Sequence, residues 1–488
     1  MKRYEMMAAD IEESIRSGVL RSGDRLPSVR IASRNRGISA STVFGAYYLL
    51  EARGLIRARP KSGYFVSAGP RRFPPEAGSV SPVTDESVDV AVGERVFKIL
   101  EQTARRKAVP LGSAFASPLL FPLGRLGRYL AVSARCLDPW STVDDLTPGN
   151  HGLRRQVALR YLGDGIRIPI EEIVITNGAM EALNLCLAAI ARVGDSVIVE
   201  SPTFYAALQS LERLGMRAIE VPTHQREGID LSALEQAIKR HRPKACWLMT
   251  TFQNPMGSTF PDEKKQQLVE LLARHDMPLI EDDVYGELYF GAKRPLPAKA
   301  FDKAGLVLHC SSFSKCLAPG YRIGWVAAGS YAQAVARQKL ATSLSSSIPT
   351  QIALANYLEH GGFDKHLRKL RQTLEKQQRV FVQAIGHYFP EGTRATRPAG
   401  GYFVWVELPP GVDSLEIQSR ALKLGICVAP GPIFSARPHF KNFLRLNYGH
   451  AWNERTEWAL ATLGRLAATG PRCSAAYSQP WRGTAPLF

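Results

Sequence analysis

Residues 309–325 read HCSSFSKCLAPGYRIGW, a stretch in which Lys315 and Arg322 lie among small, apolar and hydroxyl-bearing residues. A surface lysine usually lies among other charges, because its ammonium group is strongly hydrated. Lys315 instead comes just after the apolar run LVLHCSSF, which has the composition and length of a buried strand. This position favours a chemical role for the lysine, although an ordinary surface lysine is the alternative when the residue is taken alone.

Apolar runs of strand length alternate with helical segments from Gly112 onward. The helical stretch GAMEALNLCLAAIARVG separates the first two runs, EEIVIT and DSVIVES, and four more follow: KACWLMTT, MPLIEDD, GLVLHCSSF and GWVAAG. Apolar strands separated by helices predict an α/β fold, with a mostly parallel sheet covered by helices on both faces. Ligands of such folds bind beyond the carboxyl ends of the strands.

Residues suited to one particular cofactor follow the predicted strands: Gly178, Phe204, Asn254, Asp282, Tyr285 and Lys315. A partly desolvated lysine amine can form a Schiff base with an aldehyde. A carboxylate such as Asp282 can keep a pyridine nitrogen protonated, which makes the ring an electron sink. Tyr285 and Asn254 can hydrogen-bond a ring phenolate, and Phe204 can stack on the ring face.

A phosphate group has candidate partners of its own. Arg322 and Ser312 can hold a phosphate together with the N-terminus of the helix that begins at Gly178. The whole set therefore predicts a site for pyridoxal 5'-phosphate (PLP). Asp282 and Asp283 are adjacent, and either could simply end a strand, but the D-x-x-Y spacing from Asp282 favours that residue.

The chain from residue 113 to 467 resembles fold-type I PLP-dependent aminotransferases of class I. The runs that carry the resemblance are GNHGLRRQVALRYL, ITNGAMEALNL, ESPTFY, NPMG, EDDVYGELYF, SSFSKCLAPGYRIGW, GGYFVWVELP and FLRLNYG. The resemblance implies a transferase domain with a large, mostly parallel sheet and a smaller C-terminal subdomain.

The resemblance also implies a role for each matching residue. In chain order these are the phosphate loop at Gly178, Ala179 and Met180, ring stacking by Phe204, the phenolate partners Asn254 and Tyr285, the pyridine-nitrogen partner Asp282, the phosphate ligands Ser312 and Arg322, and the catalytic Schiff-base lysine Lys315. Arg445, in RLNY, would grip the α-carboxylate of a substrate or effector, for which a guanidinium is well suited. A structural salt bridge is the alternative for Arg445.

Two departures from the aminotransferase pattern stand out. Ala179 and Met180 occupy positions where the phosphate loop commonly has a hydroxyl and an amide, so phosphate contacts there would come from backbone N–H groups. The stretch VDDLTP, before Gly149, lacks the tyrosine that aminotransferases often supply across a dimer. Both departures argue mildly against efficient catalysis.

The first 67 residues have a different character. Residues 1–75 carry 14 Lys and Arg against 6 Asp and Glu, in a chain whose formal net charge is +18. A concentrated basic charge is typical of a module that faces nucleic acid, although a merely solvated basic surface is the alternative. The pattern predicts three helices, with Ser39 as the N-cap of the third, and then two short strands around a basic tip at Lys61.

This segment resembles the winged helix-turn-helix DNA-binding domain of GntR-type bacterial regulators. The matching patterns are GDRLPSVR, S-x-S-T-V and A-x-x-x-L-E-x-x-G-L-I-x-x-R-x-x-S-G-Y-F-V. The family commonly has arginine at the position of Ala40, which bears on base preference and not on the docking mode. The resemblance implies DNA contacts from Arg30, Ser39, Ser41, Thr42, Lys61, Ser62, Gly63 and Tyr64.

The remaining segments complete the predicted organisation. Residues 68–112 are rich in Pro, Gly and Ser and predict a linker, with a short helix over GERVFKILEQTARR in its second half. Residues 468–488 lack any periodic pattern and predict a disordered tail. The seven cysteines are scattered without metal-ligand spacing, which predicts reduced cytosolic thiols and no bound metal.

The joined architecture resembles the MocR/GabR group of bacterial transcriptional regulators. The resemblance implies a cytoplasmic homodimer that binds double-stranded operator DNA and senses an amine or amino acid through a Schiff base on Lys315. Two alternatives stay open. The protein could be an active PLP-dependent aminotransferase with an appended DNA-binding domain, or a regulator for which PLP itself is the signal.

Overall fold

The chain folds into two compact units, an N-terminal unit of Met1–Pro74 with Gln383–His387 and a large unit of Pro75–Val382 with Tyr388–Phe488. The computed structural model describes residues 3–17, 19–20, 23–52, 54–59, 62–66, 73–77, 86–103 and 108–469. The predicted tail from residue 470 onward and the wing residue Lys61 lie outside the described residues. Within the described part of the chain, every helix is too short or too polar to cross a membrane.

The N-terminal unit has the predicted three helices and hairpin: α1 (Arg3–Arg16), α2 (Val29–Arg36), α3 (Ala40–Ala52), β1 (Ile56–Arg59) and β2 (Gly63–Val66). The two strands pair antiparallel, with Ile56 opposite Val66. The Ser28 hydroxyl caps α2 by accepting a hydrogen bond from the Ile31 N–H, and Gly37 ends that helix in the left-handed conformation at φ 61°. Local capping chemistry therefore sets both ends of α2.

One small core holds this unit together. Its buried side chains come from α1, α2, α3 and the hairpin: Met7, Ala8, Ile11, Leu26, Ala32, Val43, Ala46, Tyr47, Leu50, Ile56 and Val66. The Tyr47 hydroxyl donates to the Pro27 carbonyl at 2.7 Å, which ties α3 to the segment before α2. Since the core residues of α3 recur at helical spacing, the opposite face of that helix points to solvent.

The helices of the large unit, among the described residues, are α4 (Gly93–Thr103), α5 (Leu123–Arg135), α6 (Ser141–Asp144), α7 (His151–Gly163), α8 (Ala179–Ile190), α9 (Tyr205–Arg213), α10 (Leu231–His241), α11 (Asp262–Arg274), α12 (Ala332–Thr342), α13 (Ile348–His360), α14 (Phe363–Tyr388), α15 (Ser414–Lys423) and α16 (Glu454–Ala468). Its strands are β3 (Ser87–Asp89), β4 (Val109–Pro110), β5 (Ile173–Thr176), β6 (Ser196–Ser201), β7 (Arg217–His224), β8 (Gly228–Ile229), β9 (Ala245–Leu248), β10 (Leu279–Asp282), β11 (Val307–Ser312), β12 (Gly324–Ala327), β13 (Arg394–Ala395), β14 (Phe403–Glu407), β15 (Ile426–Cys427), β16 (Ala429–Pro430) and β17 (Phe443–Asn447).

The main sheet has the strand order β3-β7-β6-β9-β10-β11-β12-β5, with β8 paired to β7. Strands β7, β6, β9, β10 and β11 are parallel, and β12 runs antiparallel to both of its neighbours. The short strand β3 adds an antiparallel edge. The arrangement confirms the predicted α/β fold with a mostly parallel sheet, and it gathers the carboxyl ends of β5, β6, β9, β10 and β11 at one edge.

A smaller antiparallel sheet, in the order β13-β14-β17-β16, forms the predicted C-terminal subdomain. Arg445 lies in β17, opposite Trp405 of β14 on one side and Ala429 of β16 on the other. The position of Arg445 in the middle of a central strand fixes its backbone rigidly.

The segment 68–112, predicted as a linker, is partly integral to the large unit. Strand β3 extends the main sheet, β4 pairs with β15, and α4 lies within the predicted short helix. The Glu212 carboxylate accepts hydrogen bonds from the N–H groups of Val92 and Gly93 at 2.9 and 2.7 Å, which anchors the start of α4. Strands of two or three residues carry too few side chains to show a periodic pattern, and the linker prediction therefore extended too far.

Candidate cofactor site and DNA-binding surface

The Lys315 amine lies in a desolvated position just beyond β11. Its Nζ donates a hydrogen bond to the Ala114 carbonyl at 2.8 Å and sits 3.9 Å from the centroid of the Phe115 ring. Burial and the Arg445 charge lower the pKa of Lys315 and Asp282 raises it, and the net value is about 7. A large fraction of an amine with such a pKa is neutral near pH 7 and is therefore able to act as a nucleophile.

The Asp282 carboxyl ends β10 and is buried with an unmet hydrogen-bonding capacity. Its Oδ1 has no partner among the described residues. Burial, with a contribution from Asp283, raises the pKa of Asp282 to about 7. A buried carboxylate oxygen without a partner is costly, and a protonated pyridine nitrogen would supply both the missing hydrogen bond and a compensating positive charge.

The neighbouring Asp283 is already engaged by other residues. Its Oδ2 lies 3.1 Å from His309 Nε2 and 3.1 Å from an Arg294 guanidinium nitrogen. Although burial acts to raise it, the pKa of Asp283 is lowered by His309 and Arg294. Asp283 Oδ1, like Asp282 Oδ1, has no hydrogen-bond partner among the described residues. The contacts of Asp283 Oδ2 with His309 and Arg294 nevertheless favour Asp282 as the carboxyl available to a ligand.

Arg445 and Asn254 form a buried pair. Arg445 donates to Asn254 Oδ1 at 3.1 Å and to the Gly112 carbonyl at 2.6 Å, and its guanidinium lies 4.3 Å from the Phe403 ring centroid. No carboxylate among the described residues lies within salt-bridge distance of Arg445. Arg445 Nε and Asn254 Nδ2 have no hydrogen-bond partner there either. A buried guanidinium without an anionic partner suits the anionic group of a ligand.

The N-terminus of α8 forms an anion cradle. Gly178 precedes the helix at φ 81° and ψ 171°, a conformation available to glycine alone. A Cβ on Gly178 would lie 2.5 Å from an Arg322 nitrogen. Arg322 donates to the Ser314 hydroxyl at 3.3 Å and to the Asn177 carbonyl at 3.1 Å. Helix N–H groups, a guanidinium and a serine hydroxyl at one point suit a phosphate.

The other predicted site residues lie along the same edge of the sheet. Ala179 and Met180 open α8, and Ser312 is buried, with its hydroxyl 3.4 Å from the Ser314 N–H. Phe204 immediately precedes α9, with its ring 4.8 Å from that of Tyr205.

Tyr285 is enclosed by aromatic rings. Its ring meets those of Tyr402 and Phe403 edge to face, with centroids 5.4 and 5.6 Å away. Burial raises the pKa of Tyr285, so its hydroxyl stays protonated and able to donate. A donor at this position suits the phenolate oxygen of a pyridoxal ring.

Three groups at the site escaped the sequence analysis. Ser314 holds Arg322, and its place in SSFSK, one residue before the lysine, was a usable signal. The Ala114 carbonyl accepts from both Lys315 and Tyr402, at 2.8 and 3.1 Å, and the Phe115 ring covers the lysine. Lys315 lies 201 positions from Ala114 and Tyr402 lies 288 positions from it, so no local sequence pattern indicates these contacts.

The buried polar groups that lack hydrogen-bond partners at this site match the groups of PLP. The unpartnered Asp282 Oδ1 suits the ring nitrogen, Asn254 Nδ2 and Tyr285 suit the phenolate, and the N-terminus of α8, where Gly178 lets Arg322 come close, suits the phosphate. When bound, PLP supplies an aldehyde that condenses with amines and a ring that withdraws electrons. The residues present therefore fit this cofactor.

The predicted DNA-contacting residues of α2 and α3 lie on the outside of the N-terminal unit. Arg30, Ser39 and Ser41 are exposed, and Thr42 is half-buried. The Ser39 hydroxyl accepts from the Thr42 N–H at 3.2 Å and lies within 2.9 Å of the hydroxyls of Ser41 and Thr42. Ser39 thus caps α3 as predicted, and it leaves a cluster of hydroxyls at the N-terminus of that helix.

The wing residues differ in their exposure. Ser62 is exposed, and Gly63 has φ 99°, which makes the hairpin turn possible. The Tyr64 ring instead packs against Tyr47, with ring centroids 4.9 Å apart. Tyr64 is therefore partly committed to the core of the unit.

Fold and site together define a winged helix-turn-helix domain joined to a domain of the PLP-dependent aminotransferase class. Residues 146–461 match the family described as aminotransferase class I and II, and residues 3–66 match bacterial regulatory proteins of the gntR family. This chain belongs to the MocR type of GntR-family transcriptional regulators, in which these two domains are joined.

The similarity to individual relatives extends over nearly the whole chain. The chain is 48% identical over 467 residues to the uncharacterized HTH-type transcriptional regulator YdcR of Escherichia coli K12, which covers 96% of this chain and 99% of that protein. It is 37% identical over 468 residues to the uncharacterized HTH-type transcriptional regulator YjiR of the same organism, which covers 95% and 98%.

A solved structure supports the assignment of the large unit. LysN, an α-aminoadipate aminotransferase of Thermus thermophilus complexed with N-(5'-phosphopyridoxyl)-L-leucine, matches with a TM-score of 0.70 at 30% identity. The match covers 76% of this chain and 94% of LysN. PLP is the cofactor of this class, in agreement with the residues found at the site.

Proposed function

We propose that this protein is a PLP-dependent transcriptional regulator that binds operator DNA as a homodimer and responds to an amine or amino acid. One observation carries the sensing role: the buried Arg445 guanidinium has no carboxylate partner among the described residues and lies in the same site as the desolvated Lys315. A pocket that offers an anion site beside a reactive amine suits an α-amino acid.

Each residue contributes a distinct function in this proposal. Lys315 Nζ would hold the cofactor through its aldehyde carbon, and an incoming amine that took over this bond would release the lysine as a free amine. Asp282 stabilises positive charge on the ring nitrogen, since the carboxylate form is favoured by a cationic neighbour. Arg445 binds the carboxylate of the incoming amino acid, and Asn254 is held against Arg445 at 3.1 Å.

An effector controls DNA binding only if it has different affinities for two arrangements of the protein. Release of Lys315 and occupation of Arg445 change the charges within one buried site, which gives such a difference a physical source. Two DNA-binding domains in a homodimer would meet two half-sites of the operator. A regulator of chromosomal genes works in the cytoplasm.

An active aminotransferase is the second candidate, because a buried lysine, carboxyl and guanidinium (Lys315, Asp282 and Arg445) could support that chemistry. A third candidate is a regulator that responds to PLP alone. Steady turnover of amino acids with 2-oxoglutarate as acceptor would favour the enzyme. A difference in operator affinity between the PLP-free and PLP-loaded protein, with no further effect of amines, would favour the PLP sensor.

The first experiment measures binding of the full-length protein to the DNA just upstream of its own gene. Each titration is run with and without PLP and at two salt concentrations, and Lys315→Ala is compared with a control at the exposed Lys244, Lys244→Ala. We expect tight binding that weakens steeply with salt and survives competitor DNA. Binding no tighter than to random DNA would overturn the regulatory function and turn attention to transamination.

A further inference from the structure

The outward face of α3 carries large apolar side chains. Phe44 is 56% exposed and Tyr48, one turn later, is 58% exposed. Both lie on the face opposite the core residues Val43, Ala46 and Leu50. Two exposed aromatic residues one turn apart on a short helix are more than the isolated apolar residue that protein surfaces ordinarily carry.

Phe44 and Tyr48 form an aromatic stripe on α3, which begins next to the cluster of hydroxyls at the N-terminus of that helix. Ala40 and Ser41 are exposed, and Phe44 follows three residues after Ser41 on the same side of the helix. In a helix-turn-helix domain the second helix enters the major groove, and its N-terminal residues contact base edges. Phe44 is therefore placed where a base contact is made.

The composition of α3 limits what it can recognise. Its sequence, ASTVFGAYYLLEA, contains no Arg, Lys, Asn or Gln, so the bidentate contacts that identify guanine or adenine cannot come from this helix. Thymine is the base that presents an apolar group, its C5 methyl, in the major groove, and phenylalanine is among the side chains that contact it.

Charge around the stripe favours DNA over a protein partner. The exposed Arg30 and Arg34 lie on α2, and residues 1–75 carry 14 basic against 6 acidic side chains. Basic side chains in the same unit can contact phosphate oxygens while an exposed apolar residue of α3 contacts a base.

We propose that Phe44 is a specificity-determining residue that recognises a thymine in each operator half-site through its C5 methyl group. This inference rests on the proposed DNA-binding function and adds to it a base preference. Burial of one methyl group against the ring should strengthen binding about fourfold for one half-site and about fifteenfold for both.

The test begins with duplexes selected from a randomised library by the full-length, PLP-loaded protein. Each thymine of the selected site is then replaced by uracil, which removes only the methyl group, and binding is compared for the wild type, Phe44→Ala and Met6→Ala. Met6 is 52% exposed on α1 and gives a matched loss of exposed apolar surface elsewhere in the same unit. The oligomeric state and thermal unfolding of each variant are measured in parallel.

We expect one thymine per half-site whose replacement weakens binding by the wild type and by Met6→Ala, and an effect that disappears in Phe44→Ala. If the wild type binds its selected site but tolerates uracil at every position, the inference is overturned while the regulatory function stands. If no site is enriched, the proposed function itself fails. If Phe44→Ala keeps the thymine preference and loses self-association, the aromatic stripe is a protein contact and the inference is wrong.

Discussion

At the scale of single residues, Lys315 shows how position determines reactivity. A lysine on the surface is protonated and unreactive, but here the amine is desolvated beneath the Phe115 ring and opposed by the Arg445 charge. Asp282 partly restores the ammonium form, so the pKa settles at about 7 instead of falling further. The carboxylate that suits the ring nitrogen thus also keeps the pKa of Lys315 from falling below about 7.

The lowered pKa of Lys315 predicts a pH dependence for cofactor attachment. The amine is mostly protonated below about pH 7 and mostly neutral above it, so attachment should speed up about tenfold per pH unit below that point and level off above it. Stopped-flow absorbance after mixing PLP-free protein with PLP, from about pH 5 to about pH 9, would measure this profile.

The variant Asp282→Asn tests whether Asp282 raises the pKa of Lys315. Removing the carboxylate removes the interaction that favours the ammonium form, so the midpoint of the profile should move to lower pH. Glu391→Gln, at an exposed position, should leave the midpoint unchanged. A midpoint near that of an ordinary lysine in the wild type would contradict the assignment of Lys315 as a desolvated amine.

Arg445 should select for ligands that carry a carboxylate. In Arg445→Gln we expect the affinity for L-alanine to fall about 100-fold, because a buried charge pair contributes several kcal/mol. The affinity for ethylamine, which is alanine without its carboxylate, should change little. The measurement is the change in visible absorption of the PLP-loaded protein on titration with each ligand.

The comparison of the two amines also guards against a misfolded site, since Arg445 is buried between Phe403 and Asn254. Retention of PLP by Arg445→Gln would show that the site survives. Equal weakening of both amines would mean that Arg445 supports the pocket and does not bind the effector.

At the scale of secondary structure elements, the turn before α8 predicts an effect on cofactor affinity. Gly178→Ala would place a Cβ 2.5 Å from an Arg322 nitrogen and force a backbone conformation that only glycine adopts readily. We expect PLP affinity to fall by at least tenfold, since strain of this kind costs about 1–3 kcal/mol and the cradle is filled as well. Equilibrium dialysis against PLP would measure the loss.

Gly165→Ala is a suitable control for this substitution. Gly165 has φ 80°, close to the 81° of Gly178, but a Cβ there would meet no other atom within 4 Å. The control variant should lose some stability and keep its PLP affinity. Equal PLP affinity in both variants would show that the turn at Gly178 does not form the phosphate site.

The elements that could be predicted from sequence are those whose signal is local. The buried strands β5, β6, β10 and β11 appear as apolar runs, and the Ser39 cap of α3 follows from the residue itself. The edge strand β3 is too short to carry a pattern, and its pairing with β7 depends on residues about 130 positions later.

The same division holds for the candidate site. Lys315, Asp282 and Arg445 could be proposed from the sequence because each follows a recognisable strand or motif. Ala114 and Phe115 contact the lysine, and Tyr402 contacts Ala114, only through the tertiary fold. The contacts of Asp283 with His309 and Arg294 add to the D-x-x-Y spacing as a reason to prefer Asp282 as the ligand-facing carboxyl. Side-chain partners, unlike strand positions, are set by long-range packing.

At the scale of the whole molecule, the two units carry different chemistry on one chain. The N-terminal unit has a basic surface and an aromatic stripe on α3. The large unit has a buried site in which several polar atoms lack hydrogen-bond partners. Strand β3, α4 and most of α14 belong to the large unit, whereas residues Gln383–His387 of α14 belong to the N-terminal unit. The chain therefore passes between the units both after β2 and within α14.

Regulation by an effector predicts reciprocal coupling between the two units. If an amino acid changes operator affinity by some factor, operator DNA must change the affinity for that amino acid by the same factor, typically about 5-fold to about 150-fold. The measurement titrates PLP-loaded protein with each of a panel of L-amino acids, by visible absorption, with and without saturating operator duplex. Lys315→Ala should show no coupling for any member of the panel.

The outcome separates a sensor from an enzyme. Equal shifts in the two affinities would show that both sites bias one equilibrium of the protein. If DNA instead changes only the rate at which an amino acid is consumed and leaves its affinity unaltered, the large unit works as an aminotransferase, because the reciprocity of binding does not extend to kcat.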